Sequence, residues 1–151
     1  MLKKEIIVVL DNIRSRENVG SIFRTADAAG VAKIYLCGIT PAPPHEKISK
    51  TALGEEAYVL WESCKQTWRL LDKLKEEGMN IVALEQTKTS RDIFKFKPKF
   101  PLVLVLGNEV NGLSPKILKY CDKKLAIPMY GKKESLNVSV AAGIALYQLI
   151  K

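Results

Sequence analysis

Asn18 and Arg24 stand in the stretch "RENVGSIFRTADAAGV" (residues 16–31), an amide and a guanidinium on one amphipathic pattern. Val19, Ile22, Phe23, Ala26 and Ala29 recur at helical spacing over 19–29, and Gly30 sits where a C-cap belongs. Asn18 precedes this pattern and could cap it, its side-chain oxygen taking an orphan N–H near Ser21. Gly20 leaves open space above the first turn, and Arg24 lies one turn beyond it. Arg24 is therefore either held to act on a ligand or exposed in a helix-surface pair with Asp27, three residues on.

Two further segments carry chemistry. In "LVLVLGNEVNGLSPKIL" (102–118) an apolar run meets a Gly-rich turn and then a helix, a context whose backbone N–H groups can cradle a ligand. The spacing of Gly107, Gly112 and Ser114 mimics a phosphate-binding loop, but Leu113 stands where its lysine belongs, which argues against nucleotide hydrolysis. Glu109 also disfavours a triphosphate; it suits a ligand with an amino group or positive charge, unless it is a solvated turn carboxylate. In "IPMYGKKESLNVSVAAG" (127–143), Ser135 and Asn137 precede the last helix, where Ser and Asn usually cap. Together with Ser139 they exceed what capping requires, and Ala141, Ala142 and Gly143 permit close packing behind them.

Elements of alternating type must position these loops. "EIIVVL" (5–10) is a continuous β-branched run, as in a strand covered on both faces. Further strands are expected at 33–38, 57–62, 80–85, 101–107 and 124–129. A short helix is expected near Glu46, one through Cys64, Trp68, Leu71 and Leu74 stopping at Gly78, one over 114–121, and a last one in "NVSVAAGIALYQLIK". That last helix is apolar around most of its circumference, which implies burial in the core and against a partner chain. The alternation predicts an α/β fold, a mostly parallel sheet with helices on both faces, in one domain over 1–151. Ligands in such sheets sit at the carboxyl ends of strands.

The net charge of +8 favours an anionic partner such as nucleic acid. Three widely spaced cysteines, Cys37, Cys64 and Cys121, form no metal or disulfide pattern and are expected to be buried small hydrophobes in a reducing compartment. No stretch approaches the ~20 apolar residues of a membrane span, and the N-terminus lacks a signal-peptide pattern, so a cytoplasmic location is expected. "FKFKPKF" (94–100) reads as an edge segment with phenylalanines packed inward and lysines in water, against the alternative that it stacks bases and holds phosphates. His45, the single histidine, lies outside the three segments and is expected at the surface or in contact with RNA.

Taken in order, "NVGSIFRTADAAGV", "LVLGNEVNGLS" and "IPMYGKKESLNVSVAAGIALYQL" resemble the three motifs of the SpoU (TrmH) family of RNA 2′-O-ribose methyltransferases in the SPOUT superfamily. The resemblance spans essentially the whole chain. It implies a deep C-terminal trefoil knot, a homodimer, S-adenosylmethionine as cofactor with no metal, and tRNA or rRNA as substrate without an RNA-recruiting extension. It assigns the reaction to Asn18, Arg24, Glu109, Ser135 and Asn137. Cofactor contacts are implied for Leu106, Gly107, Asn108, Glu109 and Gly112, and for Ile127, Met129, Ser135, Leu136 and Asn137. A guanidinium is effectively never neutral, so Arg24 is expected to stabilise a developing oxyanion rather than take its proton. Rival readings are a non-catalytic RNA-binding module on the same fold and a nucleotide-binding α/β protein of another class.

Overall fold

The computed structural model describes residues 4–53 and 58–151. Seven strands form one sheet: β1 (Ile6–Asp11), β2 (Lys33–Cys37), β3 (Trp61–Cys64), β4 (Asn80–Leu84), β5 (Arg91–Asp92), β6 (Leu102–Leu106) and β7 (Lys123–Ala126). Their spatial order is β3-β2-β1-β6-β4-β7-β5, and every pairing is parallel. The helices are α1 (Arg16–Ala29), α2 (Glu46–Ala52), α3 (Thr67–Glu76), α4 (Pro115–Leu118) and α5 (Val138–Ile150). No helix among the described residues is long and apolar enough to cross a membrane.

The apolar runs of β1 and β6 are buried along their whole length because each face of the sheet carries its own core. Alternate side chains, Ile6, Val8, Leu10, Leu102, Leu104 and Leu106, meet α1, α2 and α5. Their neighbours Ile7, Val9, Val103 and Val105 meet α3 and α4 on the other face. The α/β architecture read from the sequence is therefore the observed one.

Several boundaries differ, each for a local reason. Helix α1 starts at Arg16 rather than 19, because Ser15 is its cap and accepts from the Asn18 N–H at 3.1 Å. Asn18 is thus not the cap but a residue of the first turn, preceded by Arg16 and Glu17, which carry no apolar signal. The space expected above Gly20 is filled: a Cβ there would collide with the Thr51 side chain and the Ile48 carbonyl of α2. Gly30 does close the helix, in the left-handed conformation at φ 73°. The strand expected over 57–62 is displaced to Trp61–Cys64, so Cys64 belongs to β3 and not to the following helix; Ala57 lies outside the described residues. Strand β7 ends at Ala126 and α4 at Leu118, both shorter than expected.

Cys37 is buried and Cys64 and Cys121 are partly buried, all three as free thiols. Burial pushes the Cys121 thiol up to about 12, with the Asp122 carboxylate adding to the shift. The Cys37 thiol is raised as well, chiefly by burial.

Candidate functional site

Strands β1, β6, β4 and β7 are consecutive in the sheet, and the loops leaving their carboxyl ends converge. They enclose a cleft of about 480 Å³ lined from Leu84–Gln86, Leu106–Val110, Ala126–Met129 and Glu134–Val138, with Asn18 at one side. All ten positions expected to hold a cofactor line it: Leu106, Gly107, Asn108, Glu109, Gly112, Ile127, Met129, Ser135, Leu136 and Asn137.

Glu109 ties two of these loops together. Its Oε1 accepts the Arg14 N–H at 2.9 Å, and its Oε2 accepts the Ser15 N–H at 2.9 Å and the Asn18 Nδ2 at 3.1 Å. Partial burial pushes this carboxyl up, but the Arg14, Ser15 and Asn18 donors outweigh it and hold it below its ordinary value. The carboxylate is not a free turn residue: it fixes the start of α1 while lining the cleft. Asn18 passes the connection on, its Oδ1 accepting Asn137 Nδ2 at 3.2 Å. Asn137 is in turn the cap of α5, its Oδ1 accepting from Ser139 N at 2.9 Å and Val140 N at 3.4 Å. Glu109, Asn18 and Asn137, separated by up to 119 residues in the chain, thus form one hydrogen-bonded line across the cleft.

The turn after β6 keeps most of its N–H groups for itself. Asn108 Oδ1 accepts from Val110 N and Asn111 N, both at 2.9 Å, and the Asn108 carbonyl accepts from Gly112 N at 2.9 Å. Asn108 Nδ2 donates to the Asn12 carbonyl at 2.7 Å. The N–H groups of Val110, Asn111 and Gly112 are thus engaged by Asn108 within the turn. The Leu113 N–H goes to Glu85 Oε2 at 2.5 Å while the Leu113 side chain is buried, so the lysine position of a phosphate-binding loop is part of the core. Gly112 has φ 66°, and a Cβ there would collide with the Glu85 carboxylate.

Glu85 and Gln86, which the motif reading missed, follow β4 directly; their position at a strand's carboxyl end is the signal that could have found them. Three carboxylates, Glu85, Glu109 and Glu134, line the cleft together with apolar Leu84, Leu106 and Ile127, and no lysine or arginine among the described residues lines it. In a chain of net charge +8 this is a local reversal of sign. Such a cleft disfavours polyphosphate and suits a cationic ligand with apolar parts.

Arg24 stands apart. It is exposed on α1, it does not line the cleft, and the ion pairs Lys33–Glu62, Lys47–Glu17 and Lys75–Asp122 leave both it and Asp27 unpaired among the described residues. His45 caps α2, its Nδ1 accepting the Lys47 N–H at 3.1 Å. In "FKFKPKF", Phe96 and Phe100 pack against the core as expected, whereas Phe94 is exposed. No cluster of His, Cys, Asp and Glu able to hold a metal occurs among the described residues.

Residues 5–147 match the model of the SpoU rRNA Methylase family. A tRNA (guanosine(18)-2'-O)-methyltransferase of Aquifex aeolicus is 39% identical over 97% of this chain and 69% of its own. A 23S rRNA (guanosine-2'-O-)-methyltransferase of Vibrio parahaemolyticus is 36% identical over 97% of this chain and 59% of its own. Among solved structures, the SpoU methyltransferase AviRb of Streptomyces viridochromogenes in complex with AdoMet superposes with a TM-score of 0.89 at 27% identity, covering 98% of this chain and 60% of that one. The chain thus spans about three-fifths of the length of the last two relatives.

Proposed function

We infer that this chain, which belongs to the SpoU rRNA methylase family, transfers a methyl group from S-adenosylmethionine to a ribose 2′-hydroxyl in tRNA or rRNA. The observation that carries this reading is the acidic, partly apolar cleft at the carboxyl ends of β1, β6, β4 and β7, lined by no basic side chain among the described residues of a basic protein. A sulfonium donor is cationic, and its adenosine is partly apolar, so the residues present fit it.

The cofactor, when bound, supplies an electrophilic methyl that leaves a neutral thioether as the new oxygen–carbon bond forms and the hydroxyl proton departs. The protein's part is placement and charge. Ile127, Met129 and Leu136 give the cleft apolar contact, and Glu85, Glu109 and Glu134 favour positive charge within it. Asn137 and Ser135, which line the cleft, would help to hold the cofactor, with Asn137 oriented by Asn18. Oriented groups of this kind lower the barrier by several kcal/mol (about 7–11 in the best cases) through proximity. Arg24 stabilises the developing oxyanion, and the proton passes to a phosphate oxygen or water.

Because Arg24 lies outside its own cleft, it serves the cleft of a second copy in a homodimer. Support for that assembly comes from α5, which packs on α1 yet leaves Val140 and Tyr147 half exposed at 50% and 52%. The trefoil knot of the family belongs to the same reading; it is supported by β6 inserting between β1 and β4 while β7 pairs on the far side of β4. A cytoplasmic location agrees with tRNA or rRNA as substrate.

Calorimetric titration with S-adenosylmethionine in the absence of RNA, followed by nucleoside mass spectrometry of treated total RNA, tests the reading. Binding and the appearance of a 2′-O-methylated nucleoside are expected, and Asn137→Ala should weaken cofactor binding about tenfold or more. No heat of binding at millimolar cofactor would overturn the assignment. Unchanged affinity in Asn137→Ala would remove that residue from the cofactor site.

A further inference from the structure

A second groove, of about 550 Å³, lies away from the cleft where β4, β6 and β7 begin and β5 forms the edge of the sheet. Its lining includes Arg91, Lys95, Lys97, Lys99 and Lys123. We propose that this groove holds the phosphate backbone of the RNA substrate remote from the reacting ribose; the proposal rests on RNA being the substrate.

The lysines are presented by a firmly anchored segment. Ile93 is fully buried, Phe96 and Phe100 pack against the core, and the lysines between them are exposed. Asn80 Nδ2 donates to the Lys99 carbonyl at 3.1 Å and to the Pro101 carbonyl at 3.3 Å, which fixes the backbone beneath the charges. Less order is then lost on binding than for lysines on a mobile loop.

The charges are also uncompensated. Two carboxylates line the same groove, and both are engaged locally. Asp122 pairs with Lys75 at 3.0 Å and accepts the Ile81 N–H at 2.8 Å. Asp92 caps a 3₁₀ turn at Ile93–Lys95, accepting the Phe94 N–H at 2.9 Å. None of the five basic side chains has a carboxylate within 4.0 Å among the described residues. Like charges so gathered repel one another and are relieved by a polyanion.

Lysines at alternate positions, at most ~7 Å apart along the chain, suit a repeating anion better than a single phosphate. Strand β4 separates the groove at Asn80 from the cleft at Leu84, ~13 Å along the strand. The two sites are opposite in sign, so the cofactor and the RNA backbone are each drawn to a different one.

The test compares the wild-type chain with the triple variant Lys95→Gln/Lys97→Gln/Lys99→Gln and with a control that removes equal charge elsewhere, Lys50→Gln/Lys73→Gln/Lys119→Gln. Binding to bulk tRNA and to fragmented rRNA is measured across a salt series, with S-adenosylmethionine affinity measured in parallel. The groove variant should lose about tenfold or more in RNA affinity near 0.1 M salt, and its log–log salt slope should flatten by about 2. The control should lose much less, and cofactor affinity should stay the same in both. Wild-type RNA affinity in the groove variant, or an equal loss in the control, overturns the proposal. Retained tRNA binding with lost binding to polyglutamate would reassign the groove to an acidic protein and overturn it as well. Failure of the wild-type chain to transfer methyl groups would count against the activity alone, because the RNA-binding comparison is read independently.

Discussion

Both oxygens of Glu109 are occupied by donors from the β1–α1 loop, so its removal tests how two cleft walls are joined. Glu109→Gln should cost about 1 kcal/mol near pH 7, a value kept low because the group is exposed. The sign of the pH dependence follows from the direction of its shift. A carboxyl held below its ordinary value of 4.5 in the folded state stabilises the protein above that value and loses the contribution as pH falls through the folded one. Urea unfolding across a pH series should therefore show wild type and variant apart at pH 7 and converging in acid. A gap that persists after acidification would mean that the charge is not the source. None of this was legible in the motif itself: a glutamate in a Gly-rich turn suggests a ligand contact. Its actual donors, Arg14 and Ser15, lie more than ninety residues away in the chain.

At the scale of elements, the approach of α1 to α2 depends on the missing side chain at residue 20. Gly20→Ala gains helix propensity, about 1 kcal/mol in an exposed helix, but must displace the Ile48 backbone carbonyl or the Thr51 side chain. A net loss of about 1–3 kcal/mol is expected, measurable as a lowered urea midpoint; equal or greater stability would show that the two helices can separate at no cost. The alternation of strands and helices was readable because period-2 and period-3.6 patterns are local. The ends were less so. Ser15 starts α1 with a hydroxyl and two polar residues that no apolar pattern marks, and β3 is an exposed strand whose sequence, "WESC", lacks the usual β-rich signature.

For the molecule as a whole, the decisive question is where Arg24 acts. Arg24→Ala should keep cofactor affinity and lose methyl transfer by about 10²-fold or more. Mixing Arg24→Ala with Asn137→Ala subunits should restore about a quarter of the wild-type activity, since half of the dimers would then contain one cleft complete in both residues. No recovery in mixed dimers, with each variant folded and dimeric, would place Arg24 in its own subunit's cleft and require the β7–α5 loop to move.

The order of residues alone determined the alternating α/β pattern, the three loops at strand ends and the mismatch with a phosphate-binding loop, because each rests on neighbours in the chain or on fixed spacing. Only the tertiary structure decided which partners those side chains keep. It committed Glu109 and Asn108 to internal hydrogen bonds, brought Glu85 into the cleft and left Arg24 outside it. The strand order, with β6 between β1 and β4, sets these juxtapositions. Hydrogen bonds and charge sign at a site depend on distances across the fold, and those distances are created only when distant segments pack.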